Sequence, residues 1–149
     1  MPRFFKRLSE GVFDLNDLAD QTHALAKFID EAARQYKLKR DKVVAVGYSN
    51  GANIAASLLI LRPEALAGAV LFRPMVPFTP GAMPKLEGKP ILVLAGSDDR
   101  MVSGKDTLAL TDIFDKSGAD VTLRWAEATH AMAVEELTAT REWLSQRFP

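Results

Sequence analysis

Gly47-Tyr48-Ser49-Asn50-Gly51 is a G-x-S-x-G pentapeptide set directly between an apolar run, Val43-Val44-Ala45-Val46, and a helix-forming stretch that begins at Asn50. That context suits a nucleophile elbow, where a serine sits on a strained strand-to-helix turn and the flanking glycines let strand and helix approach closely. The helix N-terminus behind Ser49 favours developing negative charge. The plainer alternative is a glycine-rich turn whose serine only caps the helix. A serine hydroxyl needs a base to become a nucleophile, and the base needs a third group to hold its tautomer. The chain has two histidines. His23 falls inside a long helix ahead of the serine and reads as a partly exposed helix residue. His130 follows the last strand, at the carboxyl edge where sites on such sheets open, and is the expected base. The acid is expected after the third strand, where Ala95-Gly96-Ser97-Asp98-Asp99-Arg100 offers two carboxylates that spacing alone does not separate. Ser, Asp, His is a chain order that supports nucleophilic attack on an acyl carbon.

These residues need a scaffold, and the pattern of apolar positions supplies one. Leu15, Leu18, Thr22, Leu25, Ile29, Ala32 and Tyr36 recur at threes and fours, which predicts an amphipathic helix from Leu15 to about Tyr36 with Asp14 as its N-cap. Val43–Val46, apolar on both faces, reads as a buried parallel strand ending at Gly47. A helix from Asn50 to Leu61 stops at Arg62-Pro63, and Ala69–Phe72 is the next strand. Arg73 to Pro90 holds Pro74, Pro77, Pro80, Pro84 and Pro90, so it reads as a long irregular loop, and such loops are often functional. Ile91–Ala95, Ser103–Lys116, Val121–Trp125 and Ala133–Phe148 then predict strand, helix, strand and helix. Ser103 with Asp106 makes a capping-box-like start, and Ser117-Gly118 ends that helix. Alternating helices and strands with short turns predict an α/β fold with a parallel sheet flanked by helices, about four strands in all.

Composition bounds the rest. A chain of 149 residues is expected to form a single domain, 1–149, and its 48% hydrophobic and 26% charged content is that of a soluble globular protein. Nineteen Lys+Arg against nineteen Asp+Glu leave a net charge of zero, so no global field favours nucleic acid or an anionic membrane. Cys is absent, which removes disulfides, thiolate nucleophiles and Cys-based metal sites, and two histidines leave little for a His-built cage. No metal site is expected. The basic, aromatic start Met1-Pro2-Arg3-Phe4-Phe5-Lys6-Arg7-Leu8 runs into Ser9-Glu10-Gly11 without an apolar core, unlike a signal peptide. The most apolar stretch, Ala65 to Phe72, is far below the roughly 20 residues that span a bilayer. The expected location is the cytoplasm.

The chain resembles the α/β-hydrolases, in particular the small bacterial carboxylesterase/phospholipase branch related to acyl-protein thioesterases. The resemblance covers essentially the whole length. Gly47-Tyr48-Ser49-Asn50-Gly51-Ala52-Asn53 is similar to that branch's nucleophile segment, and Leu71-Phe72-Arg73-Pro74-Met75-Val76-Pro77 to its post-strand site loop. Ala95-Gly96-Ser97-Asp98-Asp99 resembles an A-G-x-x-D motif whose last residue is the triad acid, which implies Asp99; Arg100 stands where the family commonly has Pro. The resemblance further implies that Asn50 offers a backbone N–H to the oxyanion, that acyl chains are short and that no cofactor is used; Met75, Val76 and Phe78 are candidate acyl-site residues, or equally loop residues that pack on the core. In the family, the segment resembling Arg3 to Val12 is preceded by strands and a His-Gly loop that donates a second oxyanion N–H. The fold is therefore expected with a shortened N-terminal half. Losing one such donor typically costs on the order of 10²–10³ in rate.

Two functions are expected on these grounds. One is a serine hydrolase that cleaves small, short-chain carboxylic esters through an acyl-enzyme: Ser49 attacks, His130 shuttles the proton, Asp99 orients His130. The other is a catalytically weak, N-terminally truncated form acting as a binding or dimerisation module, with Met1 an internal methionine of a longer frame as a further alternative. Dienelactone hydrolase-type chemistry through a cysteine is excluded by composition. Val43–Val46 would be an apolar sheet edge with unpaired backbone groups, which predicts a homodimer through that strand or through the first helix.

Overall fold

The computed structural model describes residues 2–149. Asp14 opens the first long helix as expected: its carboxylate accepts the N–H of Asp17, and α1 runs from Leu15 to Gln35. Of the predicted stripe, Leu18 and Thr22 are buried and Leu25, Ile29 and Ala32 half-buried, but Leu15 and Tyr36, at the two ends, are exposed. Ala26 and Ala33 are buried instead, because α1 packs closely on the helix after the serine turn; Thr22 Oγ1 and Ser57 Oγ lie 2.7 Å apart across that contact. Ahead of α1, β1 (Arg7–Ser9) and β2 (Val12–Phe13) form a short antiparallel hairpin that the apolar pattern does not reveal.

Four strands, β3 (Val44–Tyr48), β4 (Gly68–Phe72), β5 (Pro90–Gly96) and β6 (Asp120–Ala126), make a parallel sheet in that spatial order. Helix α2 (Asn50–Leu61) connects β3 to β4, α3 (Gly104–Lys116) connects β5 to β6, and α4 (Val134–Arg147) comes after β6. The proline-bearing segment between β4 and β5 forms no helix or strand. Strand alternation sorts the core into two layers. Ala69, Leu71, Ile91 and Val93 face α1, α2 and α3, in one cluster with Ala26, Leu58, Leu110 and Phe114. Val70, Phe72, Leu92 and Leu94 point the other way, onto Trp143, Leu144 and Phe148 of α4 and the chain end.

Strand β3 departs from the doubly buried strand expected. Val43 and Ala45 pack against the larger cluster, but Val46, on the opposite face, is 60% exposed. Among the described residues β3 hydrogen-bonds only β4, so its outer edge is open, as the sequence predicts.

The cap of α3 also differs from expectation. Ser103 Oγ accepts the Asp106 N–H at 3.1 Å, but the Asp106 carboxylate does not return to the cap; it accepts the N–H of Val76 at 2.8 Å and pins the proline-bearing loop. Ser117 and Gly118, the latter at φ +83°, end the helix as predicted.

Candidate active site

The parallel register lines up Tyr48, Phe72 and Leu94 at the carboxyl ends of β3, β4 and β5. The segments leaving these strands therefore meet at one edge of the sheet. Ser49 takes φ +52°, a left-handed conformation that a side chain resists, and its N–H bonds the Phe72 carbonyl at 2.9 Å. The turn depends on Gly47: a Cβ there would lie within 2.5–2.6 Å of the Gly51 and Ala52 backbone. Gly51 carries no such constraint, since a Cβ would meet only the Phe4 ring at 3.8 Å, so the close approach falls on one glycine of the pentapeptide rather than both.

Ser49 Oγ lies 3.0 Å from His130 Nε2, and His130 Nδ1 lies 2.9 Å from Asp99 Oδ2. The other carboxylate oxygen of Asp99 accepts the N–H groups of Met101 and Val102 at 2.8 and 3.0 Å. Burial of the Asp99 carboxyl opposes its charge, but the hydrogen bonds from His130, Met101 and Val102 outweigh burial and hold it below the usual carboxylate range. An ionised carboxylate only accepts, so Nδ1 carries the ring proton and Nε2 is left to accept from the serine. The Asp99 side chain is 1% exposed and that of His130 18%, which leaves the imidazole reachable from solvent and the acid shielded. Asp98, its rival in the sequence, is exposed, and its N–H bonds Ala128 O at 3.1 Å. His23 is exposed on α1, as expected.

Asn50 is the first residue of α2, so its N–H has no intrahelical acceptor and faces the turn. Its side chain is held by the N–H of Phe4 at 2.9 Å. Of the three acyl-site candidates, the structure brings only Met75 to the site: it lines a small cavity of about 90 Å³ with Ser49, His130, Met101 and Phe13. Val76 and Phe78 turn away from that cavity and pack against the core, because the bonds from Met75 N–H to Asn53 and from Val76 N–H to Asp106 direct the loop inward. A larger groove of about 850 Å³ runs from Ser49 and His130 along β3 to Leu25 and Ile29 of α1.

In the sequence Arg73 carries no role of its own, being the first residue of the long loop and part of the segment that resembles the post-strand site loop, yet its side chain is fully buried and paired with Glu136 at 2.6 Å. The signal is a charged residue closing the apolar run Ala69–Phe72 ahead of a proline. Among the described residues no group of three or more His, Asp or Glu side chains is placed to hold a metal ion, and no helix is long and apolar enough to cross a membrane.

A parallel sheet flanked by helices, with a strained serine after β3, an acid after β5 and a histidine after β6, is the arrangement of an α/β-hydrolase. A profile of the dienelactone hydrolase family matches residues 9–143, and the chain belongs to that family. MhqD of Bacillus subtilis, which carries a provisional hydrolase name, is 44% identical over 146 residues, covering 98% of this chain and 73% of that protein. Among solved structures, the Bacillus cereus carboxylesterase superposes with a TM-score of 0.95 at 44% identity, over 99% of this chain and 70% of that one. The carboxylesterase of Mesorhizobium loti does so with a TM-score of 0.86 at 31% identity, over 96% and 68%.

Proposed function

We propose that the protein is a serine esterase acting on small carboxylic esters with short acyl chains. Ser49 Oγ attacks the acyl carbon while His130 Nε2 takes its proton, and the oxyanion accepts the N–H of Asn50. His130 returns the proton to the departing alcohol oxygen, leaving an acyl-serine. Water then attacks the acyl carbon as His130 Nε2 takes its proton, and His130 passes that proton to Ser49 Oγ as the bond to the acyl carbon breaks, releasing the carboxylic acid and restoring the serine hydroxyl. Asp99 keeps the imidazole in the tautomer that both steps require. The observation carrying this reading is the unbroken hydrogen-bonded series Ser49–His130–Asp99, at 3.0 and 2.9 Å. Carboxylesterases of the same fold support it.

A fluorophosphonate should label the protein once, at Ser49, and Ser49→Ala should remove the label. Mass spectrometry of the intact chain and its peptides checks this. Labelling that persists in Ser49→Ala would refute the nucleophile.

The open edge of β3 favours a second reading of how the chain works in solution. We propose that two copies pair β3 against β3 across a two-fold axis, which buries Val46 and satisfies the edge amides. Sedimentation at micromolar concentration should give twice the chain mass, and Val46→Lys should return it to one. A monomer with a cooperative melt would sink this proposal and leave the esterase reading standing.

A further inference from the structure

Residues 127–133, which carry His130, form no helix or strand, so regular pairing does not determine where the imidazole points. Their path is set by side chains. Arg73 Nε donates to Thr129 O at 3.0 Å, Tyr48 Oη to His130 O at 3.1 Å, and Arg73 Nη2 to Ala131 O at 2.9 Å. Three consecutive carbonyls centred on His130 are thus held by residues from the ends of β3 and β4. The remaining donors of Arg73 reach Leu94 O at 3.1 Å and the two Glu136 oxygens at 2.6 and 2.8 Å, so all five guanidinium N–H groups are used. Glu136 also accepts the N–H of Ala133 at 2.8 Å, which closes the far end of the loop against α4. Gly96 makes room for this path, since a Cβ there would lie 2.4 Å from the Ala128 and Thr129 carbonyl oxygens.

Stability alone does not call for such a pair. A buried ion pair can often be exchanged for well-packed apolar side chains at no net loss. The placement of this one points to a different role. Phe72 O accepts the Ser49 N–H, and the next residue is Arg73, at φ +54°, which turns its side chain back beneath the His130 loop. The carboxyl end of β4 is therefore a common reference for both reacting side chains.

We propose that Arg73, held by Glu136, is a positioning residue that sets the distance between Ser49 Oγ and His130 Nε2. As a statement about rate it rests on the esterase reading; as a statement about His130 it does not. A rigid planar fork spans Thr129 O, Ala131 O and Glu136 at once, which a lysine ammonium on a flexible stem does not.

The test compares the wild-type full chain with Arg73→Met/Glu136→Leu, Arg73→Lys and Tyr48→Phe. Turnover is measured on a short-chain aryl ester, and the low-field proton resonance of His130 Nδ1–H, assigned through its loss in Asp99→Asn, reports the ring's placement. The double variant removes both buried charges together, so neither is left uncompensated, and it is expected to stay folded with a lower Tm because the Thr129 and Ala131 carbonyls lose their donor. Its kcat should fall about 100-fold, as for a misplacement of about 1 Å, with KM changed less than about threefold and the resonance lost. Arg73→Lys should lose about tenfold in kcat and broaden the resonance. Tyr48→Phe should lose less than about tenfold, through one hydrogen bond.

Wild-type kcat together with a wild-type resonance in a folded double variant would overturn the proposal. Should that variant not fold, unchanged kcat and resonance in Arg73→Lys would overturn it equally. If the wild-type chain shows no Ser49-dependent turnover, the esterase reading fails, and the resonance still decides whether Arg73 holds His130.

Discussion

His130→Ala is expected to reduce kcat for ester hydrolysis by up to ~10⁶-fold and to cost about as much as Ser49→Ala. The two losses should not add. Without the imidazole at 3.0 Å from Oγ the serine keeps its proton, and without the serine the imidazole has nothing to deprotonate, so the double variant should be little worse than either single one. Asp99→Asn should behave differently and cost about 10⁴-fold. The reason lies in the surroundings of the carboxylate. One of its oxygens is taken by the N–H groups of Met101 and Val102. An asparagine would place its oxygen there and turn its NH₂ toward His130 Nδ1. The ring would then have to accept at Nδ1 and carry its proton on Nε2, where it could no longer take one from Ser49. Steady-state rates of the three single variants and the Ser49/His130 double variant on one aryl ester check this. A His130→Ala rate within tenfold of wild type would remove the histidine from the reaction.

The elements most legible in the sequence are those with a long or uninterrupted pattern. The 3.6-residue period predicts a helix from Leu15 to about Tyr36, and α1 runs to Gln35; the apolar runs locate all four strands of the sheet. Short or long-range features are not legible. The β1–β2 hairpin spans three and two residues, too few to show alternation, and only the turn residue Gly11, at φ +71°, marks it. Burial of Ala26 and Ala33 in place of the ends of the stripe depends on how closely α1 lies on α2, a tertiary quantity. At the site, the pentapeptide and chain order single out Ser49 and His130, whereas spacing does not separate Asp98 from Asp99; the resemblance to the A-G-x-x-D motif implies Asp99, and the fold of the turn places its carboxylate against His130. Arg73 and Glu136 are 63 residues apart, and no local pattern links them. Even so, a charged side chain closing an apolar strand carries information, since burying it alone would cost several kcal/mol and it must therefore find a partner.

That requirement makes Glu136→Gln the substitution with the largest expected effect on stability. Glu136 and Arg73 are 4% and 0% exposed, so neutralising one partner leaves the other charge buried without compensation, at a cost of about 3–5 kcal/mol. For a chain of this length that lowers Tm by roughly 6–20 °C at neutral pH. The pH dependence identifies the charge as the cause. Burial works against ionisation of Glu136, but the Arg73 guanidinium and the Ala133 N–H outweigh it and hold the carboxyl below its ordinary range. A carboxyl with a lowered folded-state value contributes its full stabilisation above its unfolded value, about 4.3, and loses it as the pH falls through the folded value. Asp99 shifts in the same direction and titrates in both proteins. Wild-type Tm should therefore stay level from neutral pH to about 5 and fall below about 4. Glu136→Gln has no proton to gain at this position, so it should start lower, fall less steeply, and approach wild type as the acid limit is reached. Calorimetric melts of both proteins at fixed ionic strength measure the gap. A gap that stays constant into the acid range would mean that the charge on Glu136 contributes nothing and that the loss comes from packing alone.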